Sequence, residues 1–214
     1  MVLAAEIHAL AVEPIHARSS GSTVGVSTTT IDGFSKSDGH AVGAGIAMRR
    51  TEAGERIAGQ RVGLTYAAIW DRVGLDHPVW APVFEDGVHI GDDVVVTRIV
   101  APKLEIEAVL GFDKPVALGA DRDQFADAVT WARQITPLCD EEAIGTSSVT
   151  DVFGGNLDAV YAVLANADVN PIRAGDAIAT GALTRGAHPS KAGNRWIVSV
   201  SDAPSFEPIE VRLT

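Results

Sequence analysis

The sequence predicts an α+β fold with a β-rich centre and helices packed outside it. Three observations carry this. Val- and Ile-rich runs at Asp92 to Val100 and Leu104 to Phe112, separated by Pro102, suit neighbouring strands. Further strand-like runs close the chain at Ala177 to Leu183, Trp196 to Val200 and Ile209 to Leu213. The composition, with 46% hydrophobic residues, 21% charged residues and 21 glycines, is that of a globular chain punctuated by turns.

Taken in order, residues 3–12 place Leu3, Ile7, Leu10 and Ala11 at helical spacing and predict a short amphipathic helix ending before Pro14. Ser19 to Thr23 reads as a loop. From Asp38 to Arg50 the row His40, Ala41, Ala44, Gly45, Ala47 and Met48 predicts a second helix whose small-residue face packs closely on a neighbour. Arg56 to Leu64 reads as a strand entering the main domain, so the expected division is a helical segment 1–55 and a β-rich catalytic domain 56–214. Asp121 to Ile135 returns to helical period, with Asp121 as N-cap, and Asn156 caps a further helix, Leu157 to Leu164.

Charge and cysteine content narrow the partners. A formal net charge of -11 argues against nucleic acid or an anionic membrane surface, both of which need clustered Lys and Arg. A small-molecule partner is favoured. The single cysteine, Cys139, leaves no intrachain disulfide framework and points to a reducing compartment, the cytoplasm by default. Its own expected role is that of a small core residue. No basic, apolar leader opens the chain and no apolar run reaches membrane-span length, so neither signal peptide nor membrane is expected.

The chemistry concentrates in Leu104-Glu105-Ile106-Glu107-Ala108-Val109-Leu110. Residues two apart in a strand share a face, so Glu105 and Glu107 point to one side and the apolar residues to the other. Taken alone, such a pair is either a solvated polar face or a site for one hard divalent cation, because two carboxylates against a core need a counter-charge.

The order of motifs around the pair adds to this. Gly59-Gln60-Arg61-Val62-Gly63-Leu64-Thr65, then Pro78, then Pro102-Lys103-Leu104-Glu105-Ile106-Glu107 resembles the 2-keto-4-pentenoate hydratase and 4-oxalocrotonate decarboxylase family of the fumarylacetoacetate hydrolase superfamily. Gly154 to Val160 with Leu164-Ala165-Asn166, then Ala174-Gly175-Asp176 and Thr180-Gly181-Ala182, continue the resemblance. Asp38-Gly39-His40-Ala41-Val42 stands where that family has its short helical entry motif. The resemblance implies a mostly-β core with helices outside, a homo-oligomer, and Mg²⁺ or Mn²⁺ held by Glu105, Glu107 and a third acid. That acid is expected in Pro137 to Glu142, as Asp140 or alternatively Glu141. Arg61, Leu64 and Thr180 are the implied substrate-binding residues, and Arg61 and His40 the implied catalytic ones.

A divalent cation with oxygen ligands keeps positions open for a 2-oxo or 2-hydroxy acid and stabilises its enolate, from which ketonisation, hydration or decarboxylation can follow. The acid/base groups choose the outcome, and there the chain departs from the family. Arg61 replaces the usual Lys, keeping the charge but not the exchangeable proton. Val79, Trp80 and Ala81 follow Pro78 where an acid is usual, and the segment Ala143 to Asp151 is short. His40 is either a proton carrier or a structural helix residue, and Thr180 either a substrate contact or part of a Thr-Gly turn. The leading expectation is a metal-dependent lyase, a hydratase or decarboxylase acting on a small unsaturated 2-oxo or 2-hydroxy acid. The alternatives are an isomerase or cyclase on the same fold, or a non-catalytic subunit that binds a keto acid or pairs with an active homologue.

Overall fold

The computed structural model describes residues 4–25, 31–65, 67–116, 136–140, 142–143, 160–161, 172–182, 187–199 and 207–214. The helical part pairs α1, Ala4–Ser20, with α2, Lys36–Glu52. Pro14 does not end α1 as its missing N–H would suggest. Ala11 and Ala17 on either side of it are buried, and packing carries the helix through to Ser20. The small-residue face expected on α2 is present: a Cβ on Gly45 would lie 3.2 Å from the Ala11 Cβ. Ser35 caps α2 through a reciprocal box with Asp38, which fixes where the helix starts. Arg50, near its end, lies 3.6 Å over the Phe84 ring and pairs with Glu55 and Asp86, tying the helical pair to the sheet.

The strands are β1 Ile57–Gly63, β2 Val79–Phe84, β3 Asp93–Val94, β4 Lys103–Leu104, β5 Glu107–Gly111, β6 Thr136–Cys139, β7 Glu142–Ala143, β8 Ala177–Ala182, β9 His188–Pro189, β10 Arg195–Ser199 and β11 Ile209–Leu213. One sheet has the order β2-β1-β8-β5, a second the order β3-β11-β10-β6-β7, and β4 pairs with β9. In the first sheet β1 and β8 run parallel while the outer pairs are antiparallel. Each large sheet has its own apolar cluster. Val62, Leu110, Phe112, Ile172 and Ile178 pack under the first, and Val96, Ile106, Trp196, Val198 and Leu213 under the second. Ile106 belongs to one cluster and Leu110 to the other, so the Glu-bearing run crosses the junction between the sheets.

The mixed α+β class is as the sequence predicts, with local differences. The run from Asp92 pairs only at Asp93–Val94, and Val95, Ile99 and Val100 lie exposed beyond it. Strand β2, which carries Pro82, lies at an edge of its sheet, where proline is tolerated. His188–Pro189 pairs with β4. The predicted helix 121–135 lies outside the described residues, and of 157–164 only residues 160–161 are described, in helical conformation. The short segment after Ala143 is outside them too. Among the described residues no helix is long and apolar enough to cross a membrane.

Candidate functional site

The site forms where β8 is irregular. Glu107 pairs with Ala182 and Val109 with Ala179, so Thr180 and Gly181 together oppose Ala108 in a β-bulge. Gly181 has φ +90, and a Cβ there would stand 2.5 Å from the Thr65 Oγ1. Only glycine fits both demands. The bulge turns the Gly181 N–H onto Glu107 Oε2, at 3.3 Å.

Arg61 stands on β1, two strands away, with Ala179 of β8 between it and Val109. Its side chain reaches the glutamates: Nε donates to Glu107 Oε1 at 3.1 Å, Nη2 donates to the same oxygen at 2.8 Å, and Nη2 also donates to Glu105 Oε2. The two carboxylates therefore converge on one guanidinium, as expected of residues sharing a face. Glu107 is the more enclosed, its side chain 11% exposed against 31% for Glu105 and 49% for Arg61. Burial pushes the Glu107 carboxyl above its ordinary pKa, against the lowering pull of Arg61 and the Gly181 N–H. For Arg61, burial works against the charge, but Glu107 and Glu105 outweigh it and hold the guanidinium above its ordinary value.

The other expected residues are placed elsewhere. Asp140 is not brought to the pair: it sits in the β6–β7 turn at φ 47, where Oδ1 accepts from the Arg195 N–H and Oδ2 from the Asn194 amide, both at 2.7 Å. Among the described residues no group of three His, Cys, Asp or Glu could hold a metal ion. Glu141 lies outside the described residues. The Arg195 N–H, with the Asn194 amide second, holds the Asp140 carboxyl below its ordinary pKa, so its stabilising contribution is present above about pH 4 and is lost as the pH falls through the folded value. Asp140→Ala is expected to lower the melting temperature at neutral pH, by an amount that shrinks as the pH falls, and to leave divalent-cation affinity unchanged. Thermal melts at neutral and at acid pH and a calorimetric titration check this.

Thr180 is fully buried and its hydroxyl donates to the Ala108 carbonyl at 3.0 Å, so in this structure it serves the bulge. Thr180→Val is expected to cost about 1 kcal/mol of stability by urea denaturation, the net worth of that hydrogen bond. Leu64 is exposed at φ 54, just past β1, with its carbonyl accepting from the Trp70 indole at 2.6 Å. His40 stacks on Trp80, ring centroids 4.4 Å apart, and lines a groove of about 630 Å³ between α2 and the β1–β2 edge. Gln60 lines the same groove, and its neighbour Arg61 points to the other face of the strand. His40 and the carboxylate pair are therefore on opposite sides of β1. Cys139 is half-buried at the end of β6, its thiol pushed up by burial and by Asp140, which suits packing rather than nucleophilic chemistry.

Sequence reasoning missed the Gly181 N–H as the third partner of the pair. The available signal was a glycine inside a strand-like run, which often marks a bulge.

No family model matches the chain. Over 107 residues, half of this chain, it is 27% identical to a 2-keto-4-pentenoate hydratase of Paraburkholderia xenovorans (strain LB400) and to 2-keto-4-pentenoate hydratase 3 of Pseudomonas putida. The matched segment spans 38% of the length of each of these curated relatives. Among solved structures, the 4-oxalocrotonate decarboxylase of Pseudomonas putida G7, complexed with magnesium and adipate, superposes with a TM-score of 0.89 at 18% identity, over 100% of this chain and 99% of that one. The fumarylpyruvate hydrolase of Pseudomonas aeruginosa, in complex with Mn²⁺ and pyruvate, gives a TM-score of 0.56 at 14% identity over 72% of this chain and 88% of that one. Over half its length the chain is thus similar in sequence to 2-keto-4-pentenoate hydratases, and it shares the fold of the 4-oxalocrotonate decarboxylase and of fumarylacetoacetate hydrolase family structures.

Proposed function

We propose that the chain is a metal-dependent lyase, a hydratase or decarboxylase acting on a small 2-oxo or 2-hydroxy unsaturated carboxylic acid. The observation that carries this reading is the convergence of Glu105 and Glu107 at the Thr180-Gly181 bulge, in a chain similar to hydratases in sequence and to a decarboxylase in fold.

The donor set fits a hard divalent cation. Carboxylate oxygens are its preferred ligands, and Mg²⁺ commonly takes only one or two carboxylates from the protein, keeping its other positions for water and substrate. Two acids against one guanidinium also leave an excess negative charge at the pair, part of it on the desolvated Glu107. Glu105 and Glu107 would hold the cation, and a bound Mg²⁺ or Mn²⁺ supplies Lewis-acid polarisation of a 2-oxo group. The chain's own residues have separate tasks. The Gly181 N–H fixes the rotamer of Glu107, and Arg61 binds a substrate carboxylate through its planar fork.

An isomerase or cyclase is the second reading, and one observation favours it: the cation at the pair is an arginine, which does not give up its proton at ordinary pH. A chemistry that asks no cationic residue to exchange protons is served equally well. Incubation with 2-hydroxydienoates and Mg²⁺ or Mn²⁺, followed by mass analysis, separates the readings. Gain of one water marks a hydratase and loss of CO₂ a decarboxylase, whereas a product of unchanged mass marks an isomerase or cyclase. No cation-dependent turnover of any such acid would contradict the lyase assignment.

A further inference from the structure

One atom of Arg61 stands where a cation between the two glutamates would stand. Nη2 is bonded at once to Glu107 Oε1, at 2.8 Å, and to Glu105 Oε2, while Nε takes a second bond to Glu107 Oε1 at 3.1 Å. The guanidinium thus uses one oxygen of each carboxylate, and the second Glu107 oxygen faces the Gly181 N–H. A divalent cation cannot bind the same two oxygens while Nη2 remains on them. Steric overlap forbids it, and the charges oppose it, since a guanidinium and a divalent ion a few ångströms apart repel strongly in a partly desolvated site. Arg61 can leave. Its side chain is half-exposed, long and flexible, and its strand is fixed by β2 and β8 rather than by the pair.

The geometry points to Arg61 as a built-in counter-ion that a divalent cation displaces, so that arrival of the metal frees the guanidinium for the substrate carboxylate. This rests on the reading of Glu105 and Glu107 as cation ligands. Two functions follow from the exchange. Before metal arrives, Arg61 keeps the enclosed Glu107 compensated. After it arrives, the same side chain is released beside the cation, with its bidentate fork unpaired, in the position a 2-oxo acid's carboxylate would need. Metal binds first and the acid second. Arg61 is in this sense a substrate-binding residue whose state reports on metal occupancy.

Two measurements test the displacement. Titration of the wild-type chain and of Arg61→Gln with Mn²⁺ by calorimetry should show the variant binding at least about tenfold more tightly, because it has no pairing to break, a difference equivalent to about 1.4 kcal/mol. On the wild-type chain alone, the Arg61 Nε–H resonance should move and exchange faster with water in step with added Mg²⁺, reaching its limit at one equivalent. Equal or weaker Mn²⁺ binding by Arg61→Gln, or an Nε–H resonance unmoved at Mg²⁺ saturation, would overturn the displacement while leaving the metal site standing. Absence of Mn²⁺ binding by both proteins would overturn the metal reading itself, and the displacement with it.

Discussion

Glu107→Gln is expected to abolish cation-dependent turnover while leaving the fold intact. The substitution keeps the shape of the side chain and can still accept from the Gly181 N–H, but it removes one of the two charges on which a divalent cation would depend. Loss of groups that merely orient metal ligands already costs about 10- to 100-fold in affinity or activity, and loss of one of two ligating carboxylates is expected to cost at least about 100-fold. Stability should respond differently. Burial raises the Glu107 pKa, so the folded chain holds that proton more tightly than the unfolded chain does. Its destabilising contribution therefore appears as the pH rises above about 4 and grows until the pH passes the raised folded value. Removing the ionisable group removes this penalty together with the Arg61 pairing. The variant should melt within about 1 kcal/mol of wild type at neutral pH, with a flatter acid-side profile. A parallel loss of activity and of stability would instead assign Glu107 to the fold.

Gly181→Ala carries the second large effect. Two costs add there: a side chain at φ +90 and a Cβ only 2.5 Å from the buried Thr65 Oγ1. The first is worth about 1–2 kcal/mol and the second about 1–3 kcal/mol, as for overpacking in general. Gly175 supplies the control, because it has φ +91 with open space around it. Gly175→Ala should pay only the backbone cost, about 1–2 kcal/mol, whereas Gly181→Ala should lose about 2–5 kcal/mol in urea denaturation. The Gly181 variant should also lose cation affinity, since relieving the clash moves the N–H away from Glu107. Equal stability losses in the two variants would show that the contact with Thr65 yields freely and that the bulge does not depend on it.

What the sequence made legible is the run with regular alternation and its immediate neighbours. Strands β1, β8, β10 and β11 lie close to their expected spans, β10 with inward apolar residues at period two, Trp196 and Val198. The expected strand Leu104 to Phe112 instead divides into β4, which pairs with β9, and β5, which keeps Ala108 and Leu110 inward. The shared face of Glu105 and Glu107 follows from the same period. Partners across strands do not. Arg61 reads as a substrate anchor from its place in a motif, yet its two acidic partners lie on a strand that β8 separates from its own, and that order is a tertiary fact. Asp140 shows the opposite failure. Counting along the chain puts an acid at about the expected distance from Glu107, but a hairpin turn consumes it, with both oxygens committed to Asn194 and Arg195. Thr180-Gly181 was visible as a motif, while the division of labour within it, a buried hydroxyl for the strand and a backbone N–H for Glu107, required the bulge. His40 keeps its helix but faces a groove on the far side of β1, because neighbouring residues of one strand serve opposite faces.

The most direct test of the central claim is anomalous diffraction from crystals of the chain grown with Mn²⁺. A cation peak within coordination distance of both Glu105 and Glu107, with Arg61 withdrawn from the pair, is the predicted result. A peak elsewhere, or none with the guanidinium still bridging the two carboxylates, would contradict it.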